Sequence, residues 1–214
     1  MHPLAHNSDE IRFTMKGMDP ISVLSGLGLS WLSGLRLYLV LFLVGLSDRL
    51  NWIALPQTMD LLSSPYVLVA TGLMVLVEFF ADKVPWVDTT WDSVHTFIRL
   101  PIAGWIAAQF APEGDAATVQ YALGILGGTV AATSHFAKAS ARATVNASPE
   151  PFSNWGLSLF EDLLTPSLLY LIYQYPYIAA SVIGVLVLGC VMVIVMLWKM
   201  VRRIFRPRAQ VKGT

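Results

Sequence analysis

Long apolar runs alternate with short polar breaks along this chain, and the runs have the length that crosses a bilayer. A helical crossing takes about 20 apolar residues. One run extends from about Ile21 to Leu46, a second from Pro65 to Lys83, and a third, shorter, from about Phe97. A fourth begins near Val119, a fifth ends in the apolar stretch 163–175, and a sixth extends from about Tyr177 to Trp198. The pattern predicts an all-α fold, a polytopic membrane helical bundle of about six spans. Residues 1–19 form a polar N-terminal segment, 20–205 a single transmembrane domain, and 206–214 a basic tail.

The first run is rich in small residues, among them Ser25, Gly26, Gly28, Ser30, Ser33 and Gly34. Small residues let helices approach closely in lipid. Arg36 follows them, with ten apolar residues beyond it. That depth makes snorkelling difficult, so Arg36 is expected to face the interior and meet a carboxylate. Residues 47–64 read as a loop with an interfacial segment around Trp52. Pro65 suits the first turn of the second helix, and Glu78 and Asp82, four apart, share one of its faces.

Residues 84–96 look amphipathic and loop-like, with Trp86 and Trp91 as interface anchors. His95 and Arg99 stand near the start of the third run, which Pro101 interrupts. A short, interrupted hydrophobic segment points either to a broken helix beside a binding site or to an ordinary kink. Residues 112–117 form a polar turn. The fourth run is rich in Gly and Ala and continues into His135, Lys138 and Arg142, spaced along one stripe. Either that stripe is buried or the helix has already left the membrane. Pro149 and Pro151 stop a helix, so 148–154 is a loop or a re-entrant turn. The sixth run is uniformly apolar and is expected to face lipid.

Composition sharpens this picture. The chain has 214 residues, of which 55% are hydrophobic and 13% charged, against about 25% charged in soluble domains. Its mean hydropathy is +0.60. The formal net charge of +0 offers nothing to a nucleic acid. A single cysteine, Cys190, implies neither a disulfide framework nor a zinc site. The N-terminal segment lacks the basic region of a signal peptide, so the first helix is expected to remain uncleaved. The basic tail belongs in the cytoplasm by the positive-inside rule. Six spans then place both termini there, with Lys83 and the 138–142 region on the same side and the Glu113/Asp115 turn outside.

The second and fifth runs echo each other. Ser64, Pro65, Gly72 and Glu78 correspond to Ser148, Pro149, Gly156 and Glu161, with a slip of one residue at the last pair. Two halves of three spans each, 20–111 and 118–205, would form the inverted repeat found in many transporters. Glu78 and Glu161 would then be symmetry mates near the middle of the fold.

Ionisable groups at membrane depth are costly and mark a site or pathway. The polar stretch from Gly128 to Asp162 carries His135, Lys138, Arg142, Asn146, Glu150, Asn154, Glu161 and Asp162. Carboxylates supply the hard oxygen ligands that protons and divalent metals require. Glu78, Asp82, Glu161 and Asp162 are therefore the tentative ion or proton site. Arg36, His95, Arg99, His135, Lys138, Arg142, Asn146, Glu150 and Asn154 are the other polar candidates. The expected function is a small transporter or channel for a cation, proton-coupled or carrying a divalent metal. The alternatives are an intramembrane enzyme acting on lipid, with His95, His135 and Glu161 as acid and base, and a non-catalytic membrane scaffold. No catalytic residue and no cofactor are expected. The expected partners are membrane lipid, a small ion and a second copy of the chain.

The stretches ADKVPWVD, WDSVHTFIRLP, TSHFAKASAR, NASPEPFSN and SLFED resemble the bacterial membrane protein family DUF4126 from about Gly26 to Asp162. The resemblance implies a multi-pass protein of the bacterial inner membrane and brings no activity with it. A looser likeness is to small cation/proton exchangers with a Glu-x-Gly-Asp-Lys motif in each of two inverted halves. EFFADK has one residue more and lacks the Gly, and FED lacks the Lys, so this is analogy alone.

Overall fold

The computed structural model describes residues 20–112, 117–146 and 151–204. Every regular element among them is helical. In order they are α1 (Pro20–Arg49), a 3-10 segment (Gln57–Ser63), α2 (Pro65–Ala81), α3 (Pro85–Gln109), α4 (Ala117–Asn146), α5 (Pro151–Gln174) and α6 (Pro176–Ile204). The all-α expectation is met. Glu113, Asp115 and Glu150, together with the N-terminal segment and the basic tail, lie outside the described residues.

α1 is the axis of the bundle and touches every other element. Its Leu29, Leu32, Leu37, Val40 and Val44 are buried in a core completed by Met59 and Leu62 of the 3-10 segment and by Leu168 and Ile172 of α5. Its small residues allow close contact: a Cβ on Gly34 would strike the Ala131 carbonyl and the Ser134 hydroxyl of α4. The Ser134 hydroxyl in turn donates to the Trp31 carbonyl at 2.7 Å. Sheltering these polar groups between α1 and α4 is what makes so close a crossing hold in lipid.

α1 and α6 are each long and apolar enough to cross a membrane. The 3-10 segment and α2 pass the same test together, as a pair bent by 64°. The two long helices differ in surroundings: 72% of the apolar window of α1 is buried inside the bundle, against 11% for α6. α2 also turns Tyr66, Val69, Leu73, Leu76 and Phe80 outward. Apolar faces this open are what helices bordered by lipid require.

Several local expectations need correction; of 148–154, expected to be a loop or re-entrant turn, residues 151–154 form the first turn of α5, and 148–150 lie outside the described residues. Residues 84–96 are helical rather than loop-like: α3 starts with Pro85 in its first turn, has Asp88 there as well, and continues to Gln109. A carboxylate in the first turn complements the helix dipole. The misleading signal was polarity, because α3 buries a polar stripe instead of an apolar one. Pro101 does not break this helix; a proline removes one backbone hydrogen bond, and the rest of the ladder holds. The break lies in α1, where Arg36 has non-helical backbone angles, φ −141° and ψ 77°. Residues 47–64, expected to be loop, include the 3-10 segment, held by burial of Met59 and Leu62.

Candidate functional site

The site is assembled from helix faces that meet at the break in α1. Arg36 is 1% exposed. Its guanidinium pairs with Asp82 at the C-terminus of α2, lies 2.7 Å from Asp162 and 3.7 Å from Glu161, both on α5. It also donates to the Ser158 carbonyl at 3.2 Å and the Ser158 hydroxyl at 3.1 Å. The expected carboxylate partner of Arg36 is thus three carboxylates, delivered by two helices.

Lys138 of α4 occupies the centre. Its ammonium lies 3.2 Å from Asp82, 3.3 Å from Glu161 and 3.9 Å from Asp92. It also donates to the Leu35 carbonyl at 3.2 Å, the carbonyl just before the break in α1. Arg142, one turn further along α4, lies 3.0 Å from Glu161 and donates to the Asp82 carbonyl at 2.8 Å. Asn154 of α5 accepts from Arg142 at 2.6 Å and donates to the same Asp82 carbonyl at 3.1 Å. One end carbonyl of α2, an acceptor that a helix terminus leaves open, is thereby satisfied from two other helices.

Glu78 sits a turn away from Asp82. Arg99 of α3 holds it at 2.6 Å and holds Asp92 at 2.7 Å. Both ends of the Arg99 fork are used, as guanidinium geometry favours. Glu78 therefore does not meet Glu161 directly; Arg99, Asp92 and Lys138 lie between them in the network. Asn146 donates to Asp88 at 2.9 Å.

The two histidines are engaged in helix-to-helix hydrogen bonds. His95 Nδ1 lies 2.8 Å from the Trp91 carbonyl, an acceptor only, so Nδ1 carries the proton and Nε2 accepts from the Tyr38 hydroxyl at 3.1 Å. His135 Nδ1 faces the Arg99 guanidinium at 3.4 Å, a donor only, so this nitrogen accepts. Its Nε2 then carries the proton and donates to the Thr96 hydroxyl at 2.7 Å, which itself donates to the Asp92 carbonyl at 2.9 Å. Both assignments follow from the partners' fixed donor and acceptor roles. Lys83, in the turn between α2 and α3, donates to the Phe79 carbonyl at 3.0 Å and lies over the Phe79 ring. Burial pushes its pKa down, with Asp162 opposing.

Every sequence candidate on a described residue except His95, which bonds the Trp91 carbonyl and the Tyr38 hydroxyl instead, is joined to this network, and Lys138 and Arg142 are buried within a helix that continues to Asn146. Sequence reasoning missed Asp88, Asp92, Thr96 and Ser158. The signal for the first two was present: 88, 92 and 99 follow the spacing of one helix face, in a stretch read as loop.

The family model described as a domain of unknown function (DUF4126) matches residues 23–199. The chain belongs to the DUF4126 family. No curated protein and no solved structure matches it significantly. In this DUF4126 member the matched span contains the break at Arg36 and every charged group of the network.

Among the described residues of the network, Glu78, Asp82, Asp88, Asp92, Glu161 and Asp162 are acidic, six in all, and Arg36, Lys83, Arg99, Lys138 and Arg142 are basic, five in all. Among the described residues the network thus has one more carboxylate than cationic partners. Buried charges persist only when paired or ligated.

Proposed function

We propose that this DUF4126 protein is a small membrane transport protein, a carrier or channel for a cation. It would have about six spans in the inner membrane, both termini in the cytoplasm, and halves related as an inverted repeat. The observation that carries the reading is the break at Arg36 in the more buried of the two candidate spans, with three carboxylates beside it and three more in the same network. Discontinuous helices at a charged midpoint are how transporters expose backbone and side-chain ligands to an ion. The carboxylate excess favours a cation over an anion.

The test is flux in proteoliposomes, with Mn²⁺ followed by quenching of a trapped dye and protons by a trapped pH indicator. Wild-type protein should carry one of them. Glu161→Gln should abolish the flux while the protein remains folded. Full flux in that variant removes the carboxylate role.

A second reading, a membrane scaffold, draws support from the way each arginine of the network reaches at least two acceptors. Such a network specifies packing rather than adding much stability. Variants that change only folding, with no flux in the wild type, would favour it.

A further inference from the structure

The cations of the network do not use all of its carboxylate oxygens, and three of the carboxylates that keep one unused oxygen are neighbours. Asp82 follows the last residue of α2, Asp88 lies in the first turn of α3, and Asp92 lies one turn later on the same face. One carboxylate oxygen from each of the three lies within 4.8 Å of the others, and all three residues are buried. Arg36, Lys138 and Arg142 approach Asp82 through Oδ2. Arg99 and Lys138 approach Asp92 through Oδ1. Asn146 donates to Oδ2 of Asp88. The opposite oxygens, Oδ1 of Asp82, Oδ1 of Asp88 and Oδ2 of Asp92, are buried without a hydrogen-bond partner. The nearest cation to Asp88 Oδ1 is Arg142, 3.9 Å away.

A buried carboxylate oxygen lacking a partner carries a desolvation cost, and here three neighbouring carboxylates each have one. Hard divalent cations take oxygen ligands at about 2.0–2.6 Å. Two oxygens on one such ion lie at most about 4–5 Å apart, so three within 4.8 Å of one another are close enough to share it. We propose that Asp82, Asp88 and Asp92 form a binding site for one hard divalent cation, Mg²⁺, Mn²⁺ or Ca²⁺, at the junction of α2 and α3. An all-oxygen donor set selects these ions over Zn²⁺ or Cu²⁺. A bound cation would also offset the excess of carboxylates over basic partners. Asp88 and Asp92 lie outside the carboxylate set expected from sequence. The site does not rest on the transport reading: bound metal with no flux leaves it standing and removes that reading.

The test uses the full chain in detergent, stripped with a chelator and titrated with Mn²⁺ while the electron paramagnetic resonance signal of the free ion is recorded. The expected result is one Mn²⁺ bound per chain and displaced by excess Mg²⁺ or Ca²⁺. Asp88→Asn and Asp92→Asn should weaken it by about tenfold or more. Asp88→Asn retains an amide oxygen for Asn146, so it keeps the local hydrogen bond. Asp60→Asn, at an exposed carboxylate remote in sequence from the three, should bind as wild type. The unmodified chain offers an independent readout: Fe²⁺ with peroxide should cleave the backbone near residues 82–92. Three results each overturn the site: no Mn²⁺ binding at about 1 mM, the weak end of protein calcium sites; wild-type affinity in both aspartate variants; or cleavage confined to other regions. If both variants fail to fold, the cleavage position decides.

Discussion

Arg99 Nη2 lies 2.6 Å from Glu78 Oε1, with both side chains buried, and its other terminal nitrogen holds Asp92. The two partners of this arginine are unequal in what they leave behind. Glu78→Gln leaves Arg99 still paired with Asp92. Arg99→Gln strands Glu78 and leaves Asp92 only the more distant Lys138 at 3.9 Å, and removing one partner of a buried pair costs about 3–5 kcal/mol. Unfolding in detergent should therefore show Arg99→Gln as the more destabilising, with the double variant losing less than the sum of the two. Additive losses would mean that the pair is not coupled.

Arg36 bridges α2 and α5 from the break in α1. Arg36→Ala should cost about 3–5 kcal/mol for the same reason. Arg36→Lys should recover less than half of that loss, because a point-like ammonium cannot span Asp82, Asp162 and the Ser158 carbonyl together. Thermal unfolding of the three proteins side by side is the measurement. A lysine variant as stable as wild type would show that charge alone matters there.

Gly34 and Gly184 form a matched pair of tests. A Cβ on Gly34 meets the backbone of α4, whereas one on Gly184 meets nothing within 4 Å. Gly34→Ala forces two packed helices apart and should cost about 1–3 kcal/mol. Gly184→Ala should be neutral or slightly stabilising, since alanine loses less freedom in a helix. Equal melting temperatures for the two variants would contradict the close α1–α4 crossing.

The proposed six-span topology puts Asp60 outside and the end of α4 inside. In a Cys190→Ser background, Asp60→Cys should react with a membrane-impermeant maleimide on intact cells. Thr144→Cys, also on the helix surface, should react only after permeabilisation. The reverse pattern would invert the orientation, and labelling of both would contradict the topology.

Individual elements show how far each expectation carried. The depth of Arg36 in an apolar run was enough to call for a carboxylate, because lipid offers a guanidinium nothing else. The 84–96 stretch was misread for a related reason. Polar residues at helical spacing look like a solvated face unless something buries them, and what buries Asp88 and Asp92 is α4, whose Lys138, Arg142 and Asn146 come from 46 or more positions later in the chain. Pro101 leaves a break and a kink equally open, because proline is a local signal, and the helix there is continuous. Arg36 breaks α1 among contacts with α2, α4 and α5, and no neighbouring residue announces them.

Local chemistry along the chain determined the helical character, the two long apolar helices and which ionisable groups need a partner, since each follows from the cost of taking a backbone or a charge out of water. Which carboxylate meets which cation, and which oxygens remain over at Asp82, Asp88 and Asp92, was decided only by packing. Those pairings join helices distant in sequence, and the distances that set them exist only once α1 has bent and the other helices have closed around it.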